Sequence, residues 1–154
     1  MAAGTFTLYR ANLDDLRMQD LVGATVKIAL VSSAYTPDAA NTGHDEWADV
    51  SANEIANGNG YTTGGATLAN DAVSTITNGH KYDSDDPAWT ASGGSIPAWR
   101  YAVMYVSGSL WGKTSPLIGY FLGDSTPADV PATTDGNPLT IQVNANGWFG
   151  VTQA

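Results

Sequence analysis

Two apolar runs separated by one short loop set the strongest constraint on this chain. The first is Ile96-Pro97-Ala98-Trp99-Arg100-Tyr101-Ala102-Val103-Met104-Tyr105-Val106. The second is Ser115-Pro116-Leu117-Ile118-Gly119-Tyr120-Phe121-Leu122-Gly123. Both have strand length, are rich in aromatic and β-branched residues, and are bounded by Gly, Pro or Ser. With the loop Ser107–Thr114 between them, they predict adjacent antiparallel strands at the centre of a sheet. Alternation of side chains puts Tyr101, Val103 and Tyr105 on one face and Ala102, Met104 and Val106 on the other. Neither face is polar, so both must be covered, as in a two-sheet sandwich. Periodicity alone also allows a buried helix; the Tyr, Val and Trp enrichment favours strand.

The rest of the chain adds short strands and frequent turns. Thr5–Tyr9 alternates as a strand does, and residues 1–10 read as an N-terminal arm or edge strand. Asn12 is placed to cap one short helix from Leu13 to about Leu21, with Asp14 and Asp15 in its first turn and Gly23 ending it. Thr25–Ser32 is a second strong strand. Tyr35-Thr36-Pro37-Asp38 turns the chain. Residues 41–56 are acidic and irregular, pinned by Trp47, Val50 and Ile55, and the glycine-rich connector 57–65 follows. Ala66–Thr77 reads as one long strand or a strand pair, Asn78-Gly79 as a hairpin turn, Leu139–Val143 as a strand and Trp148–Val151 as the closing strand. Short strands, frequent turns and little helix predict a mainly β chain, an antiparallel β-sandwich of jelly-roll type, as one domain over 1–154.

Composition then narrows the partners. Charged residues make up 14% of the 154 residues, against the ~25% usual in soluble domains. Small polar and apolar residues must therefore dominate the surface. The net charge is -9, and no Lys or Arg lies between Lys27 and Lys81 or after Lys113. Such a surface repels phosphate backbones, which argues against nucleic acid as a partner. There is no cysteine, so disulfides, thiolate zinc sites and Cys nucleophiles are excluded. No apolar run reaches the ~18 residues of a membrane span, and no leader pattern opens the chain. A soluble protein made in a cytoplasm, with no membrane partner, is expected.

The search for chemistry returns little. His44 and His80 lie in loop-like segments, and no nucleophile elbow accompanies them. Asp83-Ser84-Asp85-Asp86 has the carboxylates of a calcium loop but not its spacing: Pro87 and Ala88 follow where a glycine is needed. The glycines at 58, 60, 64 and 65 have no GK[ST] signature after them and read as flexible or tightly turned backbone. No catalytic, cofactor or metal residue is assigned, and the chain is not read as an enzyme. The candidate partner interface is Trp111, in the loop between the central strands, with Trp47, Tyr61 and Tyr9.

Several ordered segments carry a resemblance. They are Val26–Asp38, Trp47–Ile55, Gly58–Leu68, Arg100–Tyr105 and Ser115–Tyr120. Together, over roughly Leu21 to Val151, the chain resembles a family of small structural proteins of tailed bacteriophages. The resemblance implies a virion component like the capsid cement, or decoration, proteins, made in the host cytoplasm and carried on the outer capsid surface. Such proteins commonly have a jelly-roll fold and bridge major capsid subunits as oligomers. The major capsid protein and further copies of the chain are thus the implied partners, a homotrimer ahead of a dimer. The family supplies no catalytic residue. The alternative reading is a tail or fibre component contacting the host surface.

Overall fold

A computed structural model describes residues 3–153; Met1 and Ala2 of the expected arm lie outside them. In chain order the strands are β1 (Thr7–Leu8), β2 (Val26–Val31), β3 (Ala66–Thr67), β4 (Ala72–Ile76), β5 (Gly79–Asp83) and β6 (Ala88–Thr90). They continue as β7 (Tyr101–Val106), β8 (Ser109–Leu110), β9 (Lys113–Thr114), β10 (Leu117–Leu122), β11 (Pro138–Thr140) and β12 (Phe149–Thr152). The helix α1 covers Met18–Val22.

The two apolar runs are adjacent antiparallel strands at the centre, as their composition predicts. β7 lies between β2 and β10 in a five-stranded sheet ordered β1-β10-β7-β2-β3. Val26 pairs with Val106 at one end of β2 and Val31 with Tyr101 at the other. The faces also divide as alternation requires. Ala102, Met104 and Val106 join one buried cluster, and Val103 and Tyr105 join another. Along β10 the pairing slips between Leu117 and Gly119. A bulge of this kind resets the alternation. Leu117 accordingly packs on the tyrosine face, Ile118 and Phe121 on the other.

The two faces are covered differently. The Met104 face carries the three-stranded sheet β12-β5-β4, the pair β11-β6 and α1, with Tyr82, Trp89, Trp99 and Trp148 buried between the layers. The Tyr105 face is covered by residues 32–53, which hold no strand and only the 3-10 turns Trp47–Asp49 and Ser51–Asn53. The fold is mainly β with antiparallel pairing throughout, consistent with a β-sandwich. Strand pairing alone does not trace the two Greek keys of a jelly roll.

Local expectations shift in four places. The helix is shorter than Leu13–Leu21, because Arg17 sits in extended backbone (φ -121°, ψ 121°) just before it and Asn12 ends a separate 3-10 turn. Residues 66–77 form two strands in two different sheets. In the β4–β5 hairpin Ile76 pairs with Gly79, so the two-residue loop is Thr77-Asn78, one residue early, with Asn78 at φ 60°. Of the 139–143 region only Leu139 and Thr140 pair, within the strand Pro138–Thr140. The glycine connector is rigid: Gly65 has φ +74°, and a Cβ there would lie 2.0 Å from the Ile28 carbonyl oxygen.

Candidate functional site

Two of the four expected interface residues are interior. Tyr9 is 1% exposed. Its hydroxyl lies 2.8 Å from that of Tyr35, which lies 2.9 Å from His44 Nδ1. The Asp38 amide donates to the same Nδ1 at 3.4 Å. A ring nitrogen accepting an amide takes its second contact from a donor, so Tyr35 donates to His44 and Tyr9 to Tyr35. Burial pushes the Tyr9 phenol well above its ordinary range and Tyr35 up to about 12. Tyr9 thus holds the 35–44 segment onto the sheet and presents no surface.

Tyr61, 2% exposed, replaces a missing strand neighbour. Because β3 spans only Ala66–Thr67, it does not reach Leu30, whose carbonyl accepts the Ile55 amide while its own amide meets no strand carbonyl on that side. The Leu30 amide donates instead to the Tyr61 hydroxyl at 3.0 Å, which donates to Glu54 Oε1 at 2.6 Å. The same carboxylate oxygen accepts the Gly64 amide at 2.6 Å. A buried amide left bare costs ~1–3 kcal/mol, which is what this phenol avoids. Burial, then the Glu54 contact, raise its pKa.

Trp47 and Trp111 are half-buried and lie at one end of the central sheet. Trp111 and Gly112 are the two central residues of the β8–β9 hairpin, with φ of 54° and 74°. Positive φ at both positions is the type I′ pattern, which bulky residues rarely occupy. The Trp111 ring packs on the Met104-face cluster, and its Nε1 donates to Asp20 Oδ2 at 3.1 Å. Trp47 stacks on Tyr105, ring centroids 4.3 Å apart and 7° from parallel, on the opposite face. Their backbones are tied: the Trp47 amide donates to the Ser115 carbonyl, and the Thr114 amide to Glu46 Oε1.

Asn12 is the residue the sequence misplaces most. It caps no helix. It is 2% exposed, and its Nδ2 donates to the carbonyls of Asp45 and Leu117, both at 2.8 Å. Its Oδ1 accepts from Lys113 Nζ at 2.7 Å, and the ammonium also reaches Asp45 Oδ2 at 2.9 Å. Three distant segments therefore meet on one amide.

The acidic loops are similarly engaged. Asp83 pairs with Lys81, Asp85 Oδ2 accepts from Asn70 at 2.6 Å, and Asp86 Oδ1 accepts from the Val143 amide at 2.8 Å. Among the described residues, no group of three His, Asp or Glu is placed to hold a metal ion.

At the other end of the sheet the layers part in an open groove of about 1150 Å³. Phe6, Trp99, Phe121, Trp148 and Phe149 are among its lining residues. Phe6 stacks on Phe149 at 5.9 Å and lies 6.0 Å from Trp148. The Trp99 ring rests where a Cβ on Gly123 would stand, 2.6 Å from Cζ3. Trp148 Nε1 donates to Ser84 Oγ at 2.9 Å. Trp99 Nε1, equally buried, has no partner among the described residues. Every lining residue described is uncharged, in a chain of 15 acids and 6 bases. Nothing in the spacing of these residues marks them as a set; they converge only in the fold. No family model, curated protein or solved structure matches the chain.

Proposed function

We propose that the chain is a structural virion protein, a cement protein that binds the outside of a phage head and bridges major capsid subunits, and that it catalyses no reaction. The observation that carries this reading is how the polar side chains are used. His44, Glu54, Asn12, Lys113 and the carboxylates of the 45–49 and 83–86 loops each hold a turn or strand in place. That is the economy of a rigid binding module. The ordered resemblance of Val26–Asp38, Gly58–Leu68 and Ser115–Tyr120 to small phage structural proteins supports the virion setting.

A jelly-roll topology and a homotrimer belong to the same proposal. A closed symmetric oligomer would offer several identical capsid-binding patches, and linkage of weak contacts multiplies their effect. The half-buried Trp111 and Trp47, at the β8–β9 end, are the proposed capsid contacts. The test is co-sedimentation with heads of the virus that encodes the chain. Occupancy in a fixed ratio to capsid subunits is expected, and Trp111→Ala should reduce it while the far-ultraviolet spectrum stays native. Recovery with tails, or absence from virions, overturns the reading.

A further inference from the structure

We propose that the open groove between the layers, far from Trp111, binds a neutral carbohydrate chain. The proposal does not rest on the cement reading and holds for either a head or a tail location.

A surface of net charge -9 attracts cations almost anywhere, yet the described residues lining this groove include no ionisable side chain. An anionic or cationic ligand would find no counter-charge among them. Aromatic surface is abundant: Phe6 and Phe149 are half-buried and stacked, with Trp148 beside them. Planar apolar rings suit the C–H faces of sugar rings. The exposed rim carries Gln142 and Asn146. An amide side chain donates and accepts at once, matching hydroxyls that do the same. A purely apolar ligand would strand these groups; a polyhydroxylated one pairs with them. Ligand pockets run to ~1000 Å³ for drug-sized molecules, so a groove of about 1150 Å³ accommodates several linked rings.

Titration of the full chain with hexamers of glucose, mannose, galactose and N-acetylglucosamine, followed by tryptophan fluorescence and calorimetry, tests the proposal. A sulfated glucose hexamer is the charged control. At least one neutral hexamer is expected to bind, and the sulfated one to bind more weakly. Phe149→Ala should weaken binding by about tenfold or more, and Gln142→Ala, at an exposed position that keeps the fold, by about threefold to tenfold. Trp111→Ala should leave it unchanged. Failure of all four neutral hexamers overturns the proposal, as does binding unaffected by Phe149→Ala and Gln142→Ala. A groove filled by a strand from a second copy would instead show an oligomer lost on Phe149→Ala and no sugar binding, which also overturns it. Capsid co-sedimentation is a separate readout, so failure here leaves the cement reading standing or falling on its own test.

Discussion

The two faces of β7 have the same strand beneath them but covers of opposite kinds. Over Ala102, Met104 and Val106 lie strands and a helix, whose backbone groups pair among themselves. Apolar and aromatic packing holds that cover, and one of its indole N–H groups has no partner among the described residues. Over Val103 and Tyr105 lies irregular chain. Its backbone groups lack a ladder and bond largely within turns, so side chains must tie the segment to the sheet. Tyr9, Tyr35, His44 and Asn12, together with Lys113, do so in connected sets. A regular cover therefore tolerates an opening, whereas an irregular one needs nearly every polar group engaged.

The strongest challenge to this contrast is Asn12→Ala. It takes a donor from the carbonyls of Leu117 and Asp45, the latter still accepting the Leu117 amide, and removes one acceptor of Lys113. At ~1–3 kcal/mol per stranded buried group, with the Lys113–Asp45 pair remaining, a loss of about 1–3 kcal/mol is expected by denaturant unfolding. Asp14→Ala, exposed two residues away, should stay within about 0.5 kcal/mol. Asn12→Asp sharpens the assignment. A helix cap accepts aspartate; a site whose Nδ2 donates to two carbonyls does not. If Asn12→Asp folds as stably as the parent chain, the irregular cover does not depend on this amide.

Alkaline titration tests the tyrosine set. Burial raises Tyr35 and Tyr105 to about 12 and carries Tyr9 higher. Each is a neutral acid whose folded pKa exceeds the unfolded value near ~10. The stability each contributes is complete below about pH 10 and drains away as pH rises through the folded values. Absorbance at 295 nm should therefore show the phenolates of Tyr9, Tyr35 and Tyr105 only above pH 10, arriving together with loss of native tryptophan fluorescence. Complete ionisation near pH 10 with native fluorescence retained would show that the cover is open to solvent.

How far the sequence exposes this contrast depends on the range of the interaction. The period-two alternation of Tyr101–Val106 yields both faces, because a strand's neighbours along the chain report its orientation. Asn78-Gly79 yields the hairpin for the same local reason, to within one residue. Trp47, Val50 and Ile55 were legible as the pins of the 41–56 segment, being its large apolar groups. Asn12 was not legible in its true role: it sits ahead of an acidic pair like a cap, while a carbonyl it serves lies 105 residues away. Tyr61 was misread as a contact because the shortness of β3, which creates its task, is a tertiary fact. The groove had no signal, since uncharged aromatics and amides from separate segments form no motif.

The smallest effect isolates what the regular cover tolerates. Trp148 and Trp99 are 8% and 4% exposed, both line the groove, and each loses the same ring volume on replacement by Phe. Both substitutions leave a void, so each is destabilising by itself. Trp148 Nε1 donates to Ser84 Oγ, whereas Trp99 Nε1 has no acceptor among the described residues. Trp148→Phe should therefore cost more than Trp99→Phe by about 0.5–1.5 kcal/mol, the net worth of one hydrogen bond. Denaturant midpoints of the two variants, measured at equal slope, read this difference directly. Equal midpoints would mean that the Trp148–Ser84 hydrogen bond adds no net stability. The regular cover would then owe nothing to this polar contact, unlike the face closed by Tyr9 and Asn12.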